Sequence, residues 1–229
     1  RKVAFLLQTP QQDGGQWDMI VSIFQKYGVV PKAVMPESSN SSNSRDLNNY
    51  LNKKLRKDAG TLRQLVADGQ SEAAIQEAKE GMLQEIYNFL ATSLGTPPET
   101  FDFEYRDEEK NYHIDRGLTP QTFYDKYVGV DLDDYVSIIN APTADKPYNK
   151  SYTVEMLGNV VGGKEVKYLN VDMETFKKLA IAQLEQGESV WFGCDVGQSS
   201  TRDSGIMALD AYDMNDLFDI DFTMTKAQR

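Results

Sequence analysis

Cys194 and His113 are the only cysteine and the only histidine among the 229 residues, so any thiol–imidazole chemistry of this chain must use that one pair. Nucleophilic catalysis needs a thiolate and its base within hydrogen-bond reach. Cys194 stands in "VWFGCDVG", at the end of an apolar run, where a buried and inert thiol is expected. His113 stands among charges in "EEKNYHID", the setting of a surface imidazole. The context that accompanies a catalytic cysteine with an upstream histidine is absent, and no local feature brings the two together. A lone thiol also excludes an internal disulfide framework and a thiolate zinc site. It suits a reducing cytoplasm.

Carboxylates offer a second kind of chemistry. Asp210, Asp213, Asp216 and Asp219 recur at every third position, but a calcium loop needs ligands two apart, a glycine at its tight turn and a closing glutamate. The array reads as the solvated face of a helical turn. Paired carboxylates for glycoside hydrolysis require a geometry that an acid-rich chain does not specify. Two glycine pairs complete the candidates. "VVGGKE" lacks the closing G-K-[ST] of a phosphate loop, and "QDGGQW" is not G-x-G-x-x-G. Taken alone, Gly14 and Gly15 read as a glycine turn leading from a loop into a helix. None of these patterns implies a metal or a cofactor.

The charge balance narrows the partners. With 24 Lys+Arg against 35 Asp+Glu the net charge is −11, whereas a polyanion partner needs a basic face that releases counterions. Lys53, Lys54, Arg56 and Lys57 form a short basic cluster without interleaved aromatics, which reads as the solvated face of a helix. Nucleic-acid binding is disfavoured. No apolar run approaches the length of a membrane span, and the first residues carry no signal-peptide pattern. The length is enough to bury a real core.

These residues need elements to position them. Trp17, Ile20, Phe24 and Tyr27 recur at helical spacing, and Gly28 suits the stop. Val29 to Val34 reads as extended, with Pro31 blocking further helix. "ESSNSSNSRD", from Glu37 to Asp46, cannot bury apolar area and reads as a mobile surface connection. Two helices follow as a hairpin. The first covers Asp46 to Ala67 with a break expected at Gly60. The second is capped by Ser71 and stopped by Gly95, Pro97 and Pro98. Phe101, Phe103 and Tyr105 then alternate with charge, a strand signature, "DEEK" supplies a turn, and Tyr112 with Ile114 supplies the return. Thr119-Pro120 opens a capped helix closed by Gly129. "DYVSIIN", "SYTVEMLGNVVGG" and "VKYLNV" read as strands, Asp172 caps a helix ended by Gly187, and "SVWFGC" reads as a strand deep in a sheet.

Three stretches carry a resemblance. "FLLQTPQQDGGQWDMIVSIFQKYGVVPK", "YNKSYTVEMLGNVVGG" and "GESVWFGCDVG" resemble the aminopeptidase C and bleomycin hydrolase family, a papain-like branch of the cysteine peptidases, and the likeness runs the length of the chain. "KLAIAQLEQGESVWFGCD" also looks like the helix and strand that lead into the β-rich lobe of papain-like enzymes. The resemblance implies an α+β, papain-like fold, partial, in three regions. Residues 1–37 would end the helical lobe, 38–130 would be a mainly helical insertion, and 131–229 would be part of the β-rich lobe.

For the site, the resemblance implies that Gly14 and Gly15, flanked by Asp13 and Gln16, belong to a cleft wall where backbone groups bind an extended substrate. A glycine lets a peptide strand approach and pair with main-chain groups. It implies cofactor-free thiol hydrolysis of peptides from a free amino terminus by cytoplasmic homohexamers. It also places the nucleophilic cysteine and oxyanion glutamine before residue 1, and the catalytic histidine and its asparagine after residue 229. Neither Cys194 nor His113 matches a catalytic position. The chain is then expected to be a central portion of such an enzyme, inactive alone unless the missing segments remain associated. The alternative is a non-catalytic α+β binding or assembly module, distinguished by whether the chain leaves broad apolar surface exposed.

Overall fold

The helix that the apolar spacing of Trp17, Ile20, Phe24 and Tyr27 expects forms. After a short helix α1 (Lys2–Leu6), α2 runs over Trp17–Tyr27 with Val21 fully buried. Gly28 ends it at φ +73°, its N–H donating to the Phe24 carbonyl at 2.9 Å. The computed structural model describes residues 2–194, 196–197, 200–208, 214–221, 225 and 227–228. They fall into two units, one of residues up to Leu132 with Gly158–Lys164, the other of Asp133–Leu157 with the remainder.

In the first unit, the sequence expectation of an extended Val29–Val34 is corrected. Val34 and Met35 donate to the Pro31 carbonyl at 3.0 and 3.3 Å, so the chain turns there. Proline fixes φ near −65°, which opens a turn as readily as it continues an extended segment. The Ser/Asn-rich stretch is likewise structured. Ser38 caps a helical turn α3 (Ser39–Ser42), and Ser38 Oγ and Asn40 Nδ2 donate to the Ser93 carbonyl at 3.0 and 3.1 Å. Serine and asparagine cannot build a core, but they satisfy helix ends.

The helical hairpin forms as read, from α4 (Arg45–Ala67) and α5 (Glu72–Leu94). Gly60 does not break α4, because one interior glycine costs only about 1 kcal/mol against the packing of a 23-residue helix. The connection is a Schellman turn, with Gln70 N–H on the Leu65 carbonyl, Gly69 N–H on the Val66 carbonyl and Gly69 at φ +69°. Ser71 accepts the Ala74 N–H at 3.2 Å as the cap of α5. Lys54 pairs with Asp58 one turn along α4 at 2.7 Å and ties the two helices together through Glu85 at 2.5 Å.

An antiparallel ribbon of β1 (Phe101–Arg106) and β2 (Tyr112–Leu118) follows, with Tyr105 opposite His113. Thr119 caps α6 (Pro120–Phe123), which widens into a π-turn over Tyr124–Val128 and closes at left-handed Gly129. Phe103 stands 4.9 Å from Phe123 and 4.8 Å from Tyr127, edge to face, so the ribbon packs its aromatic face on this helix.

The second unit is built on a three-stranded sheet in the order β3 (Ile138–Ile139), β5 (Lys167–Asn170), β4 (Lys150–Thr153), the first pair parallel and the second antiparallel. Asn170 is fully buried, and its side chain is satisfied by the Ala141 N–H at 2.8 Å and by the Ala141 and Lys146 carbonyls at 3.0 and 2.7 Å. Asp172 caps α7 (Met173–Glu185) by accepting the Thr175 N–H at 2.9 Å. A two-stranded ribbon, β6 (Ser200–Thr201) and β7 (Ile206–Met207), and helix α8 (Met214–Phe218) follow.

"SVWFGC" corrects the sequence reading. Residues 189–194 form no strand, Trp191 and Phe192 are 66% and 70% exposed, and Cys194 is exposed rather than buried. Apolar, β-prone composition makes a strand only where another strand satisfies its backbone groups, and among the described residues none does.

Candidate functional site

The loop between α1 and α2 holds the candidate residues. It forms no strand, so its polar groups must find partners elsewhere, and α4 supplies them. Ser44, Asn48, Asn52 and Arg56 recur at four-residue intervals, one row along a helix. The Arg56 guanidinium donates to the Gln8 carbonyl at 3.0 Å. Asn52 accepts the Gln11 N–H at 2.9 Å and donates to the Gln11 carbonyl at 3.0 Å. Asn48 Nδ2 donates to one oxygen of Asp13 at 2.5 Å, and the Ser44 hydroxyl donates to the other. Ser44 first and Asn48 next hold the Asp13 carboxyl below the ordinary aspartate value.

Beyond Asp13 the bonding stops. Gly14 and Gly15 are exposed, and their main-chain groups make no hydrogen bond among the described residues. Neither has a positive φ. A Cβ on Gly14 would meet nothing within 4 Å, and one on Gly15 would meet only Met19 Sδ at 3.8 Å. Gly28 is the contrast, because a Cβ there would lie 2.2 Å from the Pro120 carbonyl carbon. The fold requires glycine at 28 and at neither 14 nor 15. Gln16, also exposed, opens α2, its carbonyl accepting the Met19 N–H at 3.0 Å.

The other candidates belong to other elements of the chain. His113 is exposed on β2, stacked on Tyr105 at 4.9 Å, with Nε2 2.8 Å from Asp107. That contact holds the Asp107 carboxyl below its usual range. Cys194 belongs to the other unit. Of the aspartate array, Asp216 lies on α8 and Asp219 follows it, while Asp210 and Asp213 lie outside the described residues. Among the described residues no group of three or more His, Cys, Asp or Glu side chains is arranged to hold a metal, and no helix is long and apolar enough to cross a membrane. The basic cluster is engaged with its own chain. Lys54 pairs with Asp58 and Glu85, Lys53 stands over the Tyr50 ring at 5.0 Å, and Arg56 holds Gln8.

The profile of the Peptidase C1-like family matches residues 1–229. The chain belongs to that family. Among its relatives, this Peptidase C1-like chain is 64% identical over 229 residues to "Aminopeptidase C" of Streptococcus thermophilus, covering all of this chain and 52% of that protein. It is 62% identical to the protein of that name from Lactococcus lactis subsp. cremoris, with the same coverage. A crystal structure of PepW from Lactobacillus rhamnosis HN001 superposes with a TM-score of 0.96 at 68% identity, over all of this chain and 51% of PepW. The fold is therefore papain-like α+β, as the motifs implied. The chain spans about half the length of the relatives it matches.

The row on α4 escaped the sequence reading. Its signal is the four-residue recurrence of Ser44, Asn48, Asn52 and Arg56. A helix this polar carries several such rows, and only the position of the loop shows which one is used.

Proposed function

We propose that the chain is the central part of a cysteine aminopeptidase that removes N-terminal residues from peptides by thiol catalysis, with Gly14 and Gly15 on one wall of the substrate cleft. The open backbone of those two glycines carries the reading. Their N–H and C=O groups are exposed and unpaired among the described residues, and the fold gives no steric reason for glycine there. A peptide laid alongside in extended form pairs with such groups as an added strand does. The names of the Aminopeptidase C relatives support the reaction class.

Thiol catalysis also requires a thiolate, its imidazole and an oxyanion donor. In this reading the catalytic Cys, His and Asn belong to the part of the relatives' length that this chain does not span, and the chain alone is inactive. Exposed Trp191, Phe192, Leu217 and Ile220 support a lobe completed by further segments over a self-contained binding module. The reading extends to a cytoplasmic homohexamer acting on peptides without a cofactor.

The test is Gly14→Val in the whole-length enzyme. Steric loss of main-chain pairing removes binding shared by ground and transition states, so KM for a tripeptide substrate rises about tenfold at unchanged kcat. An unchanged KM contradicts the wall.

A further inference from the structure

We infer that α4 is a positioning strut for this wall: Ser44, Asn48, Asn52 and Arg56 fix the path of residues 8–13 and so fix where Gly14 and Gly15 present their backbone. The inference rests on the reading of those glycines as substrate wall.

Its first support is a match of order along the two segments. The loop runs antiparallel to α4, with Gln8 at Arg56, Gln11 at Asn52, and Asp13 at Asn48 and Ser44. The first two helix steps of four residues thus meet loop steps of three and two, and the last, from Asn48 to Ser44, meets the two oxygens of the single Asp13.

The second support is the kind of contact. The Asn52 amide takes both main-chain groups of Gln11, at 2.9 and 3.0 Å, which is what a neighbouring strand would do. Arg56 also reaches a main-chain carbonyl. Such bonds set the backbone path whatever the loop side chains are. The row ends on Asp13, whose two oxygens are taken by Asn48 and Ser44, immediately before the glycines.

The third support is the strut's own rigidity. Leu47 and Leu51 of α4 are buried, and Lys54, paired with Asp58 one turn along α4, binds α4 to α5 through Glu85. A site held by a packed helix keeps its geometry better than one held by loop residues alone. The helical hairpin, expected from sequence as an insertion, thereby acquires a part in peptide binding.

The experiment compares Asn52→Ala with Gly14→Val in the whole-length enzyme, reading kcat and KM separately for a tripeptide substrate. Asn52→Ala is expected to raise KM about three- to tenfold with kcat unchanged, whereas general loss of fold lowers the active fraction and kcat. If Asn52→Ala leaves KM unchanged while Gly14→Val raises it, the role of α4 is overturned and the glycine wall stands. If neither moves KM, both are overturned. Should Asn52→Ala fail to fold, Arg56→Ala takes its place and is read by the same criteria, and Arg56→Lys, which keeps a donor for the Gln8 carbonyl, must recover KM.

Discussion

Ser22 and Gly163 meet with no room for a methyl group between them: a Cβ on Gly163 would lie 2.9 Å from the Ser22 hydroxyl oxygen and 3.0 Å from its Cβ. The same hydroxyl donates to the Asp18 carbonyl at 2.7 Å and accepts the Lys164 N–H at 2.9 Å. Lys26 Nζ adds a bond to the Val161 carbonyl at 3.2 Å. Gly163 of "VVGGKE" therefore lets a distant stretch of chain dock on α2.

Gly163→Ala is expected to lower stability by about 1–3 kcal/mol through overpacking. Ser22→Ala removes the acceptor of the Lys164 N–H and costs about 1–3 kcal/mol. In the double variant the hydroxyl is gone and part of the clash with it, so the two losses add to less than their sum. Urea unfolding of the four proteins checks this, and strict additivity would show that the two residues do not interact.

A methyl group at two other glycines separates fold from function. Gly28→Ala must place a Cβ 2.2 Å from the Pro120 carbonyl carbon at φ +73°, with the Val29 N–H bonded to the Pro120 carbonyl at 3.0 Å. A loss of about 3 kcal/mol or more is expected. Gly14→Ala meets nothing within 4 Å and is expected to change stability by less than about 0.5 kcal/mol. Thermal unfolding of both distinguishes a backbone-imposed glycine from one that the fold leaves free.

The aromatic cluster predicts stability with both an acid and an alkaline limb. Asp115 accepts from Lys126 Nζ at 2.5 Å and from the Tyr127 hydroxyl. Lys126 first and Tyr127 next hold the Asp115 carboxyl below its ordinary 3.8. A depressed folded pKa stabilises above pH 3.8 and is lost as pH falls through the folded value. The Tyr127 phenol is pushed well above its ordinary 10, first by its bond to Asp115 and then by burial. A raised pKa contributes stability below pH 10 that is lost as pH rises through the folded value. Near-ultraviolet circular dichroism across pH is expected to show both limbs, and Asp115→Asn to weaken both.

Local chemistry made much of this fold legible. Ser71, Thr119 and Asp172 cap the helices their types announce, and the alternation in "FDFEY" gives the ribbon it reads as. What was not legible is non-local. "SVWFGC" has strand composition but no strand partner among the described residues, so Cys194 is exposed where burial was expected. Gly60 passes unnoticed through α4 because tertiary packing outweighs one residue's propensity. For the site, Gly14 and Gly15 stood out as a pair, but the row on α4 that holds their loop depends on a meeting of segments some forty residues apart. No spacing rule expresses that.

The most direct measurement takes the 229-residue chain alone, assays it with an aminoacyl fluorogenic substrate with and without a thiol alkylator, and repeats the assay with Cys194→Ser. Exposed Cys194 should be alkylated stoichiometrically in the folded chain, and no turnover is expected before or after. Turnover that the alkylator or Cys194→Ser abolishes would contradict this, because the nucleophile would then lie within the chain.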